Sequence, residues 1–461
     1  FDELSLERTL DVYDLMQPAG TVIYAGGQIP NNLAPKLGEL DIPLLGTKAE
    51  NIDRAEDRHQ FSTLCDELDI DQPQWREFET VAEAEQFADS VGYPVLVRPS
   101  KVLSGAAMAV ARDVAELEEF LGKAAKVDSD APVVVSKFEV GAREIEIDAV
   151  AHKGEIILHA ISEHVENAGV HSGDATIVFP PQRTYLETIR RIKAIARKLA
   201  KALQITGPFN MQFLAKENVI KVIELNLRAS RSFPFVSKIS GINFIDVATR
   251  AALGEVEPLE VRKNTYRTLE LDHVGVKCPQ FSFARLSGAD PVLSVEMAST
   301  GEVGCFGKSF KEAFLKAMIS VGFPIPKSGV LFSIGDIKSK LALVEAAQFF
   351  ADQGFAVYAT PGTADFFAEN NVSCTKLTKL SEDPDSQILQ KIRSHEIDLV
   401  VNIPKNFAHE EITDGYRIRR AAVDNNIALV TNAQLARAIT QSLEEFPTVE
   451  SLPIAAESDY F

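Results

Sequence analysis

Val222-Ile223-Glu224-Leu225-Asn226-Leu227-Arg228 is a run in which aliphatic and polar residues alternate. Successive side chains of a β-strand point to opposite faces of the sheet. We therefore predict a strand with Glu224, Asn226 and Arg228 on one face and the intervening aliphatic residues on the other. One face packs on a core, and the other presents a row of polar groups.

A second alternating run lies just upstream, where Asn210 and Gln212 are separated by apolar residues. Residues 215–218 between the two runs can close a hairpin. Paired strands of a hairpin bring opposite residues close together. This hairpin would set Gln212 roughly opposite Glu224.

A carboxylate beside amide oxygens is a hard-oxygen site of the kind that Mg²⁺ prefers. Gln212, Glu224 and Asn226 are therefore candidate metal ligands. Arg228 and Arg231 follow directly and can bind phosphate oxygens in a bidentate manner. The alternative is a half-exposed antiparallel strand whose polar face is simply solvated.

A further acidic row is formed by Glu144, Glu146 and Asp148, which alternate with two isoleucines. Like charges on one strand face repel unless a positive group lies opposite. A metal, an arginine or a nucleotide ribose hydroxyl would serve. The alternative is a solvated edge strand.

Two loops are candidates for ligand contact. Arg98 opens residues 98–108, a loop of small residues that lets backbone N–H groups approach phosphate oxygens, although many hairpin turns look similar. Residues 163–174 are unusually polar, and we predict a functional loop in which His171 contacts nucleotide phosphate or substrate. The spacing of His164 and His171 does not indicate a metal pair.

The chain divides by pattern into three parts. Residues 1–54 alternate short helices and strands as a small α/β unit, and residues 55–325 form a larger α+β region. Two prolines in Pro324-Ile325-Pro326 favour a domain boundary. Residues 326–461 alternate strands with helices, which predicts a doubly wound parallel sheet.

An anion site is predicted in this last domain, where hydroxyls meet a helix N-terminus at Thr360 and Thr363. Simple helix capping would explain Thr363 equally well. Asn402 ends the next parallel strand and points to the same carboxyl-end crevice.

Composition excludes several classes of protein. The 461 residues carry a net charge of −19, which works against binding to nucleic acid or anionic membrane. The apolar runs are far shorter than the roughly 20 residues of a membrane span.

Four cysteines without paired spacing indicate a reducing compartment, so the cytoplasm is expected, with the mitochondrial matrix as the alternative. The first residues already look like the interior of a fold, so we expect a piece of a longer protein.

These motifs together resemble the carbamoyl-phosphate synthetase large chain. The resemblance runs from end to end and is carried by several stretches: Gly26 to Pro30, Arg98-Pro99-Ser100, residues 163–174, 206–212, and Glu224 to Lys238. It fits the second of that chain's two ATP-grasp halves, followed by a methylglyoxal-synthase-like regulatory domain. The expected folds are a pre-ATP-grasp α/β unit, an ATP-grasp module and a doubly wound terminal domain.

The resemblance implies that this half uses ATP and Mg²⁺, or Mn²⁺, to phosphorylate carbamate to carbamoyl phosphate. Two divalent ions are expected, and K⁺ is a further candidate. Gln212, Glu224 and Asn226 would hold the metals, and Arg228 and Arg231 would face carbamate and the transferred phosphoryl group. The residues implied at the nucleotide site are Arg58, Arg98, Lys137, Glu139, Glu144, Gly169, Val170, His171, Ser172, Gln212 and Glu224.

The loop at 100–108 is the candidate lid over short-lived carbamate. It departs from the family at Lys101, where Tyr is common, and this added cation can change lid behaviour or nucleotide affinity.

The resemblance also implies partners. These are the bicarbonate-phosphorylating N-terminal half of the same parent chain, a glutamine amidotransferase subunit or domain, and a small-molecule effector. The effector pocket would include Thr360, Thr363 and Asn402, with Lys338 or Lys340 in addition. A nucleotide is favoured over N-acetylglutamate, because the pocket for the latter includes a Trp and Trp75 lies outside this domain.

Two other functions stay open at this stage. One is another ATP-grasp ligase that shares the Glu-x-Asn strand, and the other is a nucleotide-binding regulatory module without turnover. The sequence leaves open the nitrogen source, glutamine or ammonia, and the pathway, arginine or pyrimidine.

Overall fold

The computed structural model describes residues 2–78, 80–99, 108–127, 133–256, 271–382, 386–404 and 409–461. All but Met108 of the predicted lid, Lys101 included, lies outside the described residues. The chain splits into two compact units. The first comprises Phe1–Gly169, Val178–Asp272 and Val295–Met297, and the second comprises Val170–Ile177, His273–Ser294 and Ala298–Phe461.

The first unit mixes helices and strands throughout. Its helices are α1 Leu6–Met16, α2 Gln28–Glu39, α3 Ala49–Glu56, α4 Arg58–Glu67, α5 Val81–Val91, α6 Val114–Val127, α7 Leu186–Ala202, α8 Ser232–Ser240 and α9 Phe244–Leu253. Its strands are β1 Trp75–Phe78, β2 Val95–Pro99, β3 Ala109–Ala111, β4 Val133–Lys137, β5 Arg143–His152, β6 Glu155–Asn167, β7 Ile177–Phe179, β8 Gly207–Lys216 and β9 Val219–Asn226.

The strands predicted within residues 1–54 are reduced to a single parallel bridge between Thr21 and Leu44. Further along, the helices begin where capping residues predict them. Asp57 caps α4 by accepting from the Gln60 amide, and Thr80 caps α5 by accepting from the Glu83 amide. These caps give the backbone N–H groups of the first turn a partner.

Two antiparallel arrangements build the first unit. One is a four-stranded sheet in the order β1-β4-β2-β3, and the other places β5 between β6 and β8, with β9 beyond β8. Strands β8 and β9 form the predicted hairpin. Its two-residue turn, Glu217 and Asn218, has φ angles of 49° and 66°, which suit the right-handed twist of the flanking strands.

A β-bulge interrupts the simple alternation of β9. Gln212 faces Glu224, but Phe213 faces Val222, so Ile223 is an extra residue on β9. The buried aliphatic residues of this strand are consequently Ile220, Val222 and Leu225, whereas Ile223 is half-buried. The expectation that Ile223 lies on the core face is wrong for this reason.

The core of the first unit lies behind the polar face of β5, β8 and β9. Ile145, Ile147, Met211, Phe213 and Val222 are all at most 1% exposed and pack in one apolar cluster with the buried face of α7. The polar and apolar faces of the sheet are thereby separated, as the sequence predicts.

The second unit contains an antiparallel pair and a parallel sheet. Its strands are β10 Val274–Gln280, β11 Gly301–Gly307, β12 Gly329–Ile334, β13 Ala356–Ala359, β14 Thr375–Lys376, β15 Leu399–Ile403 and β16 Ala428–Val430. Its helices are α10 Phe310–Ser320, α11 Ile337–Ala342, α12 Val344–Asp352, α13 Pro361–Glu369, α14 Gln387–Arg393, α15 His409–Asp424 and α16 Ala433–Glu445, with short 3₁₀ turns at Val449–Ser451 and Glu457–Tyr460.

The parallel sheet has the order β14-β13-β12-β15-β16, so the chain winds outward in both directions from β12. The predicted doubly wound domain is confirmed, together with the mixed α/β and α+β classes. In such sheets a ligand crevice lies at the carboxyl ends of the strands where the order reverses. Among the described residues, no helix is both long enough and apolar enough to span a bilayer.

Candidate active site

The predicted metal ligands meet on one sheet face. Gln212 of β8 faces Glu224 of β9, and Asn210 faces Asn226. On the other side of β8, Gln212 faces Glu146 and Asn210 faces Asp148. Two polar rows therefore cross three neighbouring strands.

The amide of Asn226 is held within this face. Its Nδ2 donates to Glu224 Oε1 at 2.9 Å, and its Oδ1 accepts from Arg228 Nη2 at 3.3 Å. The amide thus links the carboxylate to the guanidinium. The assignment of oxygen and nitrogen in such an amide follows the hydrogen-bond network, and a cation at Glu224 would favour the opposite orientation.

The acidic row of β5 is buried. Glu144, Glu146 and Asp148 are 6%, 2% and 0% exposed, and β5 is flanked on both sides, so the alternative of a solvated edge strand is wrong. Burial raises the pKa of the Glu144 carboxyl well above its usual value, and the carboxylates of Glu146 and Glu224 raise it further.

Part of this buried charge is compensated by neutral donors. Asn210 Nδ2 donates to Asp148 Oδ1 at 2.8 Å and to Glu146 Oε2 at 3.3 Å. The Ser230 hydroxyl also donates to Asp148 Oδ1, at 2.6 Å. Asn210 and Ser230 therefore hold the carboxylates of Glu146 and Asp148 on β5 in place.

Two predicted arginines converge near Glu224. Arg58 Nη1 donates to the carbonyl oxygen of Ile223 at 2.6 Å, and its Nη2 lies 4.0 Å from Glu224 Oε2. Arg98 is 8% exposed; burial lowers the pKa of its guanidinium well below the usual value, and the charge of Arg58 lowers it further. Two close cations of this kind favour an anionic ligand between them.

The other predicted nucleotide residues of the first unit have internal partners. Lys137 Nζ donates to the carbonyl oxygens of Gly92 and Tyr93 at 2.6 and 3.3 Å. Glu139 accepts from Lys221 Nζ at 2.5 Å. Gly169 has a φ of 117°, a value that favours glycine.

Arg231 lies at the start of α8 rather than on the strand. Its Nη1 points to the thioether sulfur of Met297 at 3.3 Å. The side chain is therefore directed toward the segment Val295–Met297, which belongs to the same unit.

The polar stretch at 163–174 is only partly a loop. Residues up to Asn167 belong to β6, and His164 and Glu166 are buried at 2% and 1% exposure. His164 Nδ1 lies 3.9 Å from Glu144 Oε2. The prediction of a loop is wrong for this first half, because its side chains alternate across a central strand.

The second half of the stretch belongs to the second unit. The backbone N–H of His171 donates to the Ser294 carbonyl at 2.8 Å, and His171 Nδ1 accepts from the Gly173 amide at 3.0 Å. Lys277, only 1% exposed, donates from Nζ to the Ser172 carbonyl at 3.3 Å. Val170, His171 and Ser172 thus form a loop with a fixed backbone.

Asp174 ends this loop. Its two carboxylate oxygens accept from the backbone N–H groups of Ala298 and Ser299 at 2.8 and 2.9 Å. The loop is therefore attached to the chain at both 294 and 298–299.

The predicted effector residues are largely committed to structural bonds. Thr363 is fully buried, and its hydroxyl accepts from the Ile334 N–H at 3.0 Å and donates to the Ile334 carbonyl at 3.1 Å. Asn402 Oδ1 accepts from Arg419 Nη1 at 2.6 Å. A ligand contact by the Thr363 hydroxyl would require these bonds to be replaced.

Lys340 and Thr360 likewise have partners within this unit. Lys340 Nζ donates to the Gly362 carbonyl at 2.7 Å, and the Thr360 hydroxyl donates to Thr363 Oγ1 at 3.4 Å. Lys338 is exposed on α11. These groups surround the carboxyl end of β12 and β13.

Sequence reasoning did not assign any role to a cluster around Arg228. Arg228 Nε donates to Gln28 Oε1 at 3.0 Å, and Gln28 Nε2 donates to Glu56 Oε2 at 2.5 Å. Burial raises the pKa of the Glu56 carboxyl, and hydrogen bonds from Gln28 and Asn31 oppose that rise. No local pattern predicts that these residues meet, since Gln28 and Arg228 are 200 positions apart.

In the part of the chain that the structure describes, no three His, Cys, Asp or Glu side chains are grouped to hold one metal ion. The candidate metal set is instead one carboxylate with amide oxygens. This is a set for a hard cation that keeps other ligands of its own.

A family model described as "Carbamoyl-phosphate synthase L chain, ATP binding domain" matches residues 57–260, which contain both polar rows. A second model, described as "MGS-like domain", matches residues 342–431. This chain therefore contains a carbamoyl-phosphate synthase L chain ATP-binding domain and an MGS-like domain. The predicted family resemblance is confirmed.

Two curated relatives align along nearly the whole chain. It is 47% identical to multifunctional protein URA2 of Saccharomyces cerevisiae over 460 residues, covering 98% of this chain and 21% of that protein. It is 48% identical over 459 residues to the mitochondrial carbamoyl-phosphate synthase [ammonia] of Rattus norvegicus, covering 98% and 30%. The chain therefore spans less than a third of the length of these relatives.

A solved structure shares the fold at low identity. The biotin carboxylase domain of Hydrogenobacter thermophilus 2-oxoglutarate carboxylase superposes with a TM-score of 0.56 at 16% identity, covering 68% of this chain and 76% of that one. With the two family matches, this likeness confirms the predicted ATP-grasp fold and MGS-like domain of the carbamoyl-phosphate synthase segment.

Proposed function

We propose that this chain phosphorylates carbamate with ATP and Mg²⁺ to give carbamoyl phosphate, as the C-terminal synthetase half of a longer enzyme. The observation that carries the proposal is the pairing of Gln212 with Glu224 on one sheet face, with Arg228 bonded to Asn226 just beyond the end of β9, which, contrary to the sequence prediction, does not extend to Arg228. That face combines oxygen donors for a cation with guanidinium donors for a phosphoryl group.

The donor set suits Mg²⁺. Glu224 supplies a carboxylate, and Gln212 and Asn226 supply amide oxygens, which are ligands that Mg²⁺ accepts alongside phosphate and water. The carboxylate of Glu224 is about one third exposed, so a metal bound to substrate phosphates can reach it. Mg²⁺, or Mn²⁺ in its place, would neutralise charge on the phosphates when bound. Two such ions, and K⁺, belong to the proposal.

The chain's own residues then act by position and charge. Phosphoryl transfer needs cations on the equatorial oxygens more than covalent help from the protein. Arg228 and Arg231 would bind carbamate and the transferred group, and Arg58 and Arg98 would bind nucleotide phosphates. Carbamate is already a nucleophile, so no general base is required.

The remaining proposed nucleotide contacts of the first unit are Lys137, Glu139, Glu144 and Gly169. A second loop, Val170 to Ser172, belongs to the second unit and is implied by the family resemblance alone. The backbone of that second loop is fixed by Ser294 and Lys277, as a binding loop requires. Fixed loops lose little conformational freedom on binding.

The proposal extends to regulation and partners. A small-molecule effector would bind at the carboxyl ends of β12, β13 and β15, near Thr360, Lys338 and Lys340. The bicarbonate-phosphorylating half and a glutamine amidotransferase would supply carbamate. The proposed compartment is the cytoplasm, with the mitochondrial matrix as the alternative.

The test is Mg²⁺-dependent synthesis of ATP from ADP and carbamoyl phosphate, the reverse of the proposed step. The intact chain is compared with Glu224→Ala and Arg228→Ala. Loss of one metal ligand should lower the rate by roughly 10³-fold or more, which is several kcal/mol of transition-state stabilisation. Lys216→Ala is the control, since that exposed lysine bonds only the Val140 carbonyl among the described residues.

The outcomes separate the alternatives. ATP formation that disappears in both variants and persists in the control supports the proposal. Full activity of folded Glu224→Ala contradicts the metal assignment. A folded chain that binds ADP but makes no ATP favours a nucleotide-binding module without turnover.

A further inference from the structure

A chain of polar contacts leads away from Arg228 into the first unit. Arg228 Nε donates to Gln28 Oε1 at 3.0 Å, and Gln28 Nε2 donates to Glu56 Oε2 at 2.5 Å. A carboxamide has one donor end and one acceptor end. Because the Glu56 carboxylate only accepts, it fixes the amide with its oxygen toward the guanidinium.

Glu56 is itself held from a second side. Asn31 Nδ2 donates to Glu56 Oε1 at 2.8 Å, and Asn31 is only 2% exposed. Gln28 begins α2 and Glu56 ends α3, so both side chains stand on helix ends that are part of the packed first unit. Both carboxylate oxygens are therefore engaged, and the rotation of Glu56 is restricted.

The oxygens that accept from Arg228 belong to neutral groups. They are Gln28 Oε1, Asn226 Oδ1 at 3.3 Å and the Ala229 carbonyl at 3.5 Å. The hydrogen-bonded link between Glu56 and Arg228 runs through the amide of Gln28, although the charge of Arg228 also lowers the pKa of the Glu56 carboxyl. An arginine held in this way is oriented by hydrogen bonds while its charge is still available to an anionic ligand.

We infer that Glu56 and Gln28 are positioning residues that orient the guanidinium of Arg228 toward the transferred phosphoryl group. This inference rests on the proposed function for the identity of the anion, whereas the orientation of Arg228 rests on the hydrogen bonds described above. Gln28 and Glu56 contact neither substrate nor metal in this scheme. Their effect is on the direction and rigidity of Arg228.

The test uses the full chain in three variants. Gln28→Met removes both polar ends of the amide at similar length, and Glu56→Gln removes the charge at similar shape. Gln60→Met is the matched control, because Gln60 also donates to a carboxylate, Asp53 at 3.2 Å, but on an exposed surface. Circular dichroism and thermal unfolding establish that each variant is folded.

The first measurement is independent of activity. In ¹⁵N-arginine-labelled protein, the Nε–H resonance of Arg228 is assigned by its loss in Arg228→Lys, and its exchange with solvent is followed. We expect at least 10-fold faster exchange in Gln28→Met than in the parent or Gln60→Met, with Glu56→Gln between them. Equal exchange in parent and Gln28→Met overturns the inference, and if Gln28→Met does not fold, the same comparison with Glu56→Gln decides.

The second measurement is the reverse reaction with ADP and carbamoyl phosphate. Misplacing a catalytic group by about 1 Å can cost 10²-fold in rate, so kcat should fall 10- to 100-fold in Gln28→Met with a smaller change in KM. Unchanged kcat in a folded, active background overturns the inference while the proposed function stands. If the parent makes no ATP, the proposed function fails, and the exchange measurement still decides whether Gln28 orients Arg228.

Discussion

Replacing Asp290 by Ala should loosen the segment 282–290 without unfolding the protein. Arg419 of α15 is 2% exposed in its side chain and donates to both oxygens of Asp290, from Nε at 2.7 Å and from Nη2 at 2.6 Å. Its third donor, Nη1, bonds Asn402 on β15. The substitution removes the countercharge and leaves the buried guanidinium with one neutral partner among the described residues.

The expected loss of stability follows from the exposed fractions of the Arg419 and Asp290 side chains. Breaking a buried ion pair by removing one partner costs about 3–5 kcal/mol, because an uncompensated charge stays inside. The side chain of Asp290 is 33% exposed, so water compensates part of the loss and the lower figure applies. Neighbouring Arg420 still binds the carbonyl oxygens of Phe283 and Ala289, which limits the effect to local opening.

Hydrogen exchange measured by mass spectrometry on peptides covering 282–290 provides the assay. A loss of about 3 kcal/mol in the free energy of local opening corresponds to roughly 150-fold faster exchange. Asp365→Ala is the matched control, since Asp365 pairs with Lys376 at 2.7 Å but the two side chains are 63% and 52% exposed. An exposed pair contributes about 0–1 kcal/mol. If the two substitutions change exchange equally, the reasoning about buried charge is refuted.

Three further predictions concern stability and reactivity. Gly329→Ala should destabilise the second unit by about 3 kcal/mol in thermal unfolding, because its Cβ would lie 2.1 Å from the Glu396 carbonyl oxygen, whereas Gly322→Ala, with φ +86° and open space, should cost about 1 kcal/mol. Burial raises the pKa of the Cys65 thiol to about 12, so iodoacetamide at pH 9 should label it only after unfolding, and labelling of native protein would contradict this. Burial lowers the pKa of His159 from 6.5 to about 4; the unfolded chain therefore binds the proton more tightly, and stability should fall as pH drops from about 6.5 to 4. His159→Gln should flatten that fall in urea titrations, and an unchanged pH profile would be the contrary result.

The sequence predicts the elements whose chemistry is local. The hairpin of β8 and β9 follows from period-two alternation on either side of a short connection, and the structure has that hairpin, but Gln212 faces Glu224 only because the bulge at Ile223 shifts the register. The doubly wound domain follows from strands alternating with helices and is confirmed in its strand order. In both cases the pattern that predicts the elements lies within short stretches of the sequence, although the strands of the parallel sheet pair over long distances along the chain.

What the sequence misses depends on distant partners. Glu56 acquires its surroundings from Gln28 and Asn31, and Thr363 bonds the backbone of β12 29 residues away. The local sequence at Thr363 is the same for a helix cap, an anion site and a buried hydroxyl that bonds a neighbouring strand. Only the tertiary packing distinguishes these three roles, and a local sequence pattern does not predict it.

The stretch at 163–174 illustrates the same limit. Its polarity predicts a loop, yet His164 and Glu166 are buried on β6 beside Glu144. Polar residues on a central strand are rare unless they face a polar cavity or one another. The sequence pattern records their polarity but not the neighbours that make burial tolerable.

Because Ile223 is an extra residue in β9, its presence and its side chain have different consequences for the site. The bulge turns the Ile223 carbonyl toward Arg58 while the residues on either side keep their faces, so the backbone rather than the side chain supplies the contact. Exchange of Ile223 for another residue that tolerates an extended strand preserves that carbonyl. Deletion of one residue removes it and leaves the rest of the hairpin able to pair. The contact with Arg58 therefore depends on the number of residues in β9 more than on the side chain at position 223.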